Sequence, residues 1–226
     1  MFLAAIVALG GGARAQGVDL ELVLAVDSSG SIDRHEFLLQ RQGYARALTH
    51  PDVLAAIRRG PRGAIALAYF EWSGPKSNVE VVPWTRITDA ASAGLVARRI
   101  ASAPRTVFGT GTALGGAIDR GMATLSQNPF RGEHRVIDIS GDGPNNEGRQ
   151  PAEARDDAVA QGVTINALAI KDVKPGLVEH FRDEVIGGPS AFVVAADGFD
   201  DFARAVLKKL LRELKVSALR RRPPSD

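Results

Sequence analysis

The sequence predicts an α/β fold: a doubly wound, mostly parallel sheet with helices on both faces and one antiparallel edge strand. Three observations carry that expectation. Apolar runs of strand length alternate strictly with stretches of helical periodicity. The first run, 19–26, closes as uninterrupted apolar sequence, as a central strand buried on both faces should. One further run, Asn78–Trp84, contains Pro83, which has no N–H to give a ladder and is tolerated only at an edge.

The elements follow in order. After the strand at 19–26, Asp33 and Glu36 have the spacing of an N-cap with its reciprocal acid, opening a helix to about residue 49 with Phe37, Tyr44 and Leu48 on one face. Pro51 starts a short second helical turn. Residues 64–71 are the next buried strand and pair with 78–84 as a hairpin across Ser73-Gly74-Pro75. A helix over 89–101, a loop over 104–111, a helix over 112–126 and a strand over 135–140 come next. The alternation repeats with helix 151–161, strand 163–170, a helix around 175–184, strand 190–195 and helix 199–215. No internal repeat or linker interrupts this order, so the chain reads as one domain over 19–215.

Composition narrows the function classes. Hydrophobic residues at 45% and charged residues at 24% of 226 are usages of an ordinary globular chain. The absence of cysteine removes disulfide scaffolds, thiolate zinc sites, iron–sulfur clusters and a cysteine nucleophile together. The net charge of +2 hides an asymmetry: Arg204, Lys208, Lys209, Arg212, Lys215 and Arg220–Arg222 crowd the C-terminal end against Glu213, over a slightly acidic body. That distribution argues against a nucleic-acid surface spread over the domain. In the last helix Phe202, Val206, Leu210 and Leu214 recur every four residues, with the cations on the other face. The helix is read as covering the core, in preference to a basic end touching an anionic membrane, and 216–226 as a basic flexible tail.

Residues 2–9 are continuously apolar, and Ala13-Arg14-Ala15 follows three glycines. This is the layout of a signal peptide over 1–15, too short to span a membrane, and it predicts an exported, periplasmic product.

In a doubly wound sheet ligands bind beyond the carboxyl ends of the strands, where the winding reverses. Three polar clusters are expected there: Asp27-x-Ser29-x-Ser31 after the first strand, Gly109-Thr110-Gly111-Thr112 before a helix, and Gly141-Asp142-Gly143 after the fourth strand. Two carboxylates and several hydroxyls, with neither imidazole nor thiol, form a hard-cation set suited to Mg²⁺ or Mn²⁺. An EF-hand frame fails, because counting from Asp27 as position 1 puts Gly30 at 4 rather than 6 and Leu38 at 12, where a glutamate is required. Gly109-x-Gly111-x-x-x-Gly115 follows no strand and so is not a dinucleotide loop, and no phosphate-binding Gly-x-x-x-x-Gly-Lys exists.

At these residues the chain resembles the von Willebrand factor A family, whose metal-ion-dependent adhesion site joins Asp-x-Ser-x-Ser to a distant Thr and a distant Asp. The resemblance implies that Ser29, Ser31 and Thr110 supply hydroxyl oxygens, and that Asp27 and Asp142 hold an ion largely through water. The segments Phe70–Pro75, Val81–Thr85, Ser140–Asn146 and Val185–Pro189 are similar to an uncharacterised bacterial domain-of-unknown-function branch of that superfamily. One departure stands out: many relatives carry Thr-Asp-Gly after the fourth strand, where this chain has Gly141 before Asp142.

The expected function is a metal-dependent protein-binding module whose partner presents an acidic side chain to the ion, with Asn145, Asn146 and Glu147 as a partner-contact rim. The four histidines, His35, His50, His134 and His180, are expected away from the strand ends, so no catalytic residue is assigned. The alternatives are a metal-dependent hydrolase of phosphate or ester substrates and a metal-free scaffold.

Overall fold

The structure is a computed structural model and describes residues 16–171 and 175–219. The leader at 1–15 and Arg220–Arg222 of the tail lie outside the described residues. The order is β1 (Gln16–Asp27), α1 (Arg34–Leu48), α2 (Pro51–Arg59), β2 (Ile65–Trp72), β3 (Asn78–Ile87), α3 (Ala90–Ser102), α4 (Leu114–Ser126), β4 (Phe130–Gly141), α5 (Pro151–Ala160), β5 (Thr164–Ile170), α6 (Leu177–His180) running into a π-helical turn (Phe181–Val185), β6 (Val193–Ala196) and α7 (Phe202–Leu219).

The six strands form one sheet in the order β3-β2-β1-β4-β5-β6, every pair parallel except β2 with β3. Edge strand β3 carries Pro83 at the register shift between Val82 and Thr85, where the ladder is already broken. Side chains alternate along β1: Leu20, Leu22, Leu24 and Val26 enter the core shared with α1, α2, α3 and α7, and Val23 and Ala25 the core shared with α4, α5 and α6.

Local chemistry sets most boundaries. Asp33 accepts the Glu36 N–H at 2.9 Å while the Glu36 carboxylate accepts the Asp33 N–H at 2.7 Å, the reciprocal cap expected of that spacing. The turn expected at Pro51 is a full helix of 9 residues, because His50 caps it and Asp52 and Arg58–Arg59 suit its dipole. Strand β4 starts at Phe130 rather than 135, since β1 reaches back to Gln16 and gives the extra residues a partner.

The last helix departs from its expected pattern at Lys209. That side chain is buried, with Nζ 2.5 Å from Asp138 Oδ2 on β4 and 3.0 Å from Glu213 Oε1. Asn166 Nδ2 donates to both oxygens of Glu213, at 2.8 and 2.9 Å. A buried ammonium is tolerable only among acceptors, and the aspartate that supplies one lies in a strand far away in sequence. Burial raises the carboxyls of both Asp138 and Glu213, and Lys209 works against that rise. Acids raised by folding stabilise fully below the unfolded carboxyl values, and this contribution is lost as pH climbs through the folded values. Lys209→Met should therefore cost about 3–5 kcal/mol at neutral pH. Urea unfolding at a series of pH values should show that deficit shrinking toward pH ~4, where the stranded acids become neutral.

Candidate functional site

The winding reverses between β1 and β4, the two central strands. Their register pairs Val26 with Ser140, so Asp27 and Gly141 leave the sheet side by side and open a crevice at its carboxyl edge.

Asp27 is fully buried, and its Oδ1 accepts the Ser29 N–H at 2.8 Å, which curls the chain back over the strand end. The Ser29 and Ser31 hydroxyls lie 3.2 Å apart, and Ser31 Oγ donates to Asp142 Oδ1 at 3.0 Å. A Cβ placed on Gly30 would lie 3.3 Å from the Gly109 carbonyl and 3.7 Å from the Thr110 Cα, so the loop bearing Thr110 presses on the same turn. Hydrogen bonds thus join Asp27, Ser29, Ser31 and Asp142, and backbone contact brings Thr110 to them.

Burial, and then the nearby Asp142 charge, push the Asp27 carboxyl up to about 7. The Ser29 hydroxyl and N–H and the Asp142 N–H work against that rise, yet no hydrogen bond of good geometry reaches the buried Asp27 Oδ2. A Cβ at position 141 would lie 3.1 Å from that oxygen, so Gly141 offers it space and no hydroxyl. A partnerless buried carboxylate oxygen next to two serine hydroxyls and a second carboxylate fits a small hard cation. Among the described residues no group of three or more His, Cys, Asp or Glu converges, so hydroxyls would have to complete any such set.

What holds the two loops together was not readable locally. The Arg105 guanidinium donates to the carbonyls of Ser28 at 3.0 Å, Ser29 at 3.1 Å and Ile32 at 3.0 Å, and stacks over Phe37 at 4.8 Å. Buried Arg41 pairs with Glu71 at 2.7 Å and donates to the Ala103 and Pro104 carbonyls, anchoring the start of the segment that carries Arg105 and Thr110. Neither arginine lies in a motif; only the fold reveals what each touches.

The glycines set aside as a nucleotide motif also acquire a reason. A Cβ on Gly109 would lie 2.0 Å from Ser73 Oγ, and one on Gly115 would lie 2.3 Å from the Arg149 carbonyl. They allow close approach to the β2–β3 turn and the β4–α5 loop.

One expectation needs correction and another gains a structural role. Asn145 and Asn146, expected at a partner-contact rim, use their Oδ1 atoms to accept the Leu114 and Thr112 N–H groups, each at 2.8 Å, supplying the cap that α4 lacks from its own sequence. Glu147 is exposed beside them. His180, expected away from the strand ends, reaches this edge, and its Nε2 accepts the Asn145 N–H at 3.3 Å.

The sheet has the fold of von Willebrand factor A domains, as solved structures show. Proximal thread matrix protein 1 from the mussel byssus superposes with a TM-score of 0.61 at 14% identity, over 88% of this chain and 46% of that one. The pilus adhesin SpaC from Lactobacillus rhamnosus GG gives 0.60 at 16% identity, over 89% and 31%. The vWF domain of the type V pili tip protein Mfa5 from Porphyromonas gingivalis gives 0.62 at 9%, over 92% and 98%. The chain therefore spans under half the length of the first two. Within this fold the chain belongs to the family described as protein of unknown function DUF1194, which matches residues 17–218. No curated protein matches it in sequence.

Arg105→Ala should cost about 2 kcal/mol, the scale of hydrogen bonds made by a charged group. Hydrogen exchange should show the Ser29–Ile32 amides accelerating more than those of β1. Arg105→Lys should not restore protection, since a single ammonium cannot span the separated carbonyls that the guanidinium fork reaches.

Proposed function

We propose that this domain binds a protein partner through a divalent cation, Mg²⁺ or Mn²⁺, held at Asp27, Ser29, Ser31, Thr110 and Asp142. The observation that carries the reading is the buried, partnerless Oδ2 of Asp27 beside the hydroxyl chain that ends on Asp142. The donors are all oxygen, which favours hard ions over zinc. One structure of the mussel byssus protein is described as having a zinc-occupied MIDAS motif, so an ion at the equivalent position of a relative has precedent. When bound, the ion supplies a positive charge with coordination positions left for an acidic side chain of the partner. The chain's own part is to hold the hydroxyls in place, through Arg105, and to keep Asp27 out of water.

We read the module as binding rather than catalysing. Metal-assisted hydrolysis needs a general base, and the nitrogen that His180 brings to this edge already accepts a backbone N–H. The relatives named above are a thread matrix protein, a pilus adhesin and a pilus-tip protein, which supports an adhesive role.

Export is part of the same proposal. Cleavage after Ala15 would leave Gln16 first, the residue that opens β1 and pairs with Phe130. No helix among the described residues is long and apolar enough to cross a membrane.

Saturating Mg²⁺ should raise the melting temperature. At a hundredfold excess over Kd the stabilisation is about 2.7 kcal/mol, or about 5–10 °C for a domain of this size. Asp142→Ala should abolish that response yet leave the metal-free protein about as stable, since it removes the charge that opposes Asp27. An unchanged wild-type melt across millimolar Mg²⁺ and Mn²⁺ would sink the metal reading. Mass spectrometry of the mature N-terminus in the native host should find Gln16 first; an intact Met1 would overturn export alone.

A further inference from the structure

Beside the candidate site lie an aromatic side chain and a groove that ion binding leaves unused. Phe108 is 76% exposed, ahead of Leu95 at 60%, Leu38 at 43% and Val79 at 38%. Scattered exposed apolar residues are ordinary on any protein surface. Phe108 differs because it stands two residues before Thr110 and lies 5.8 Å from the Arg105 guanidinium, the group that grips the Ser28 and Ser29 carbonyls. The ring is thereby held at the flank of the site.

On the far side of Thr110 an open hollow of about 530 Å³ is lined by the β2–β3 turn at Lys76, by Gly109–Gly111 and by Glu147. Thr110 belongs to both groove and site. The walls carry opposite charges: Lys76 is exposed on one, and the Glu147 carboxylate lies over Gly111 on the other, where a Cβ would come within 1.8 Å of its Oε2. Among the described residues neither charge is in an ion pair.

We propose that Phe108 and this groove form the partner-binding surface. Its occupant is an extended protein segment that gives a carboxylate to the ion, an apolar side chain to Phe108 and a second acid to Lys76. The proposal rests on the metal reading and names the partner that reading implies. Charge selects the occupant: an ion and Lys76 attract acids from two sides, while Glu147 rejects an acid at the groove's inner end and so gives the segment a direction. Phe108 supplies the rigid aromatic contact on which such interfaces concentrate their affinity.

The test pans a phage-displayed library of linear peptides, each with one fixed Asp, on the immobilised full chain in millimolar Mg²⁺, with elution by EDTA. The eluted peptides should carry an aromatic or aliphatic residue near the Asp and a further acid on the opposite side. Phe108→Ser and Lys76→Glu should each weaken them roughly tenfold, with the Mg²⁺ melting shift of each variant unchanged. Glu147→Gln should tighten them. Peptides that bind both weakened variants as well as wild type, or a library that yields no EDTA-eluted binder although Mg²⁺ shifts the melt, would overturn the surface. A wild-type melt indifferent to Mg²⁺ overturns the metal reading instead, and the melt alone distinguishes the two failures.

Discussion

The parallel pairing of β1 with β4 is the constraint from which the functional edge follows. From Gln16 opposite Phe130 to Val26 opposite Ser140, it places two strand ends, distant in sequence, at one level in the middle of the sheet. The winding reverses between them, so no helix crosses directly above and the crevice stays open. Slipping that register by one residue would turn Asp27 and the residues before it to the opposite faces of the sheet. The buried carboxylate, the serine turn and Asp142 all inherit their positions from it.

Such an arrangement is costly in a metal-free chain. Asp27 is buried, its Oδ2 has no hydrogen-bond partner, and Asp142 opposes its charge. The surroundings hold it regardless. Arg105 grips the serine turn from outside, Arg41 and Glu71 anchor the segment bearing Arg105, and Asn145 and Asn146 tie the β4–α5 loop to the start of α4. Each link uses charged or amide groups to satisfy backbone carbonyls and N–H groups that an irregular loop would otherwise leave unpaired. The site is therefore preorganised by its supports as well as by the hydrogen bonds among its own residues.

The same logic recurs below α7, where Asp138, Lys209, Glu213 and Asn166 form a second buried polar cluster. Its position on the α7 face follows from strand alternation, since Asp138 and Asn166 occupy neighbouring strands and pair in register. An amphipathic pattern alone assigns Lys209 to solvent. It cannot register an aspartate waiting in the core, because periodicity measures how apolar a face is and not which polar partner it meets.

The architecture was legible in the chain because its signals are local: apolar runs of strand length, Pro83 at an edge, the reciprocal cap of Asp33 and Glu36. The candidate site was legible for a related reason. Strand ends of a doubly wound sheet share one edge, so Asp27 and Asp142 could be expected there before any contact was known, whereas Thr110, between two helices, was named by the family resemblance. Tertiary structure alone decided the rest: Arg105 on the serine turn, Asn145 and Asn146 on the α4 N-terminus, His180 at the edge, and Lys209 inside. These pairings join residues tens of positions apart through hydrogen bonds and ring contacts. Such contacts leave no period or spacing in the sequence, because their geometry exists only once the sheet has brought the loops together.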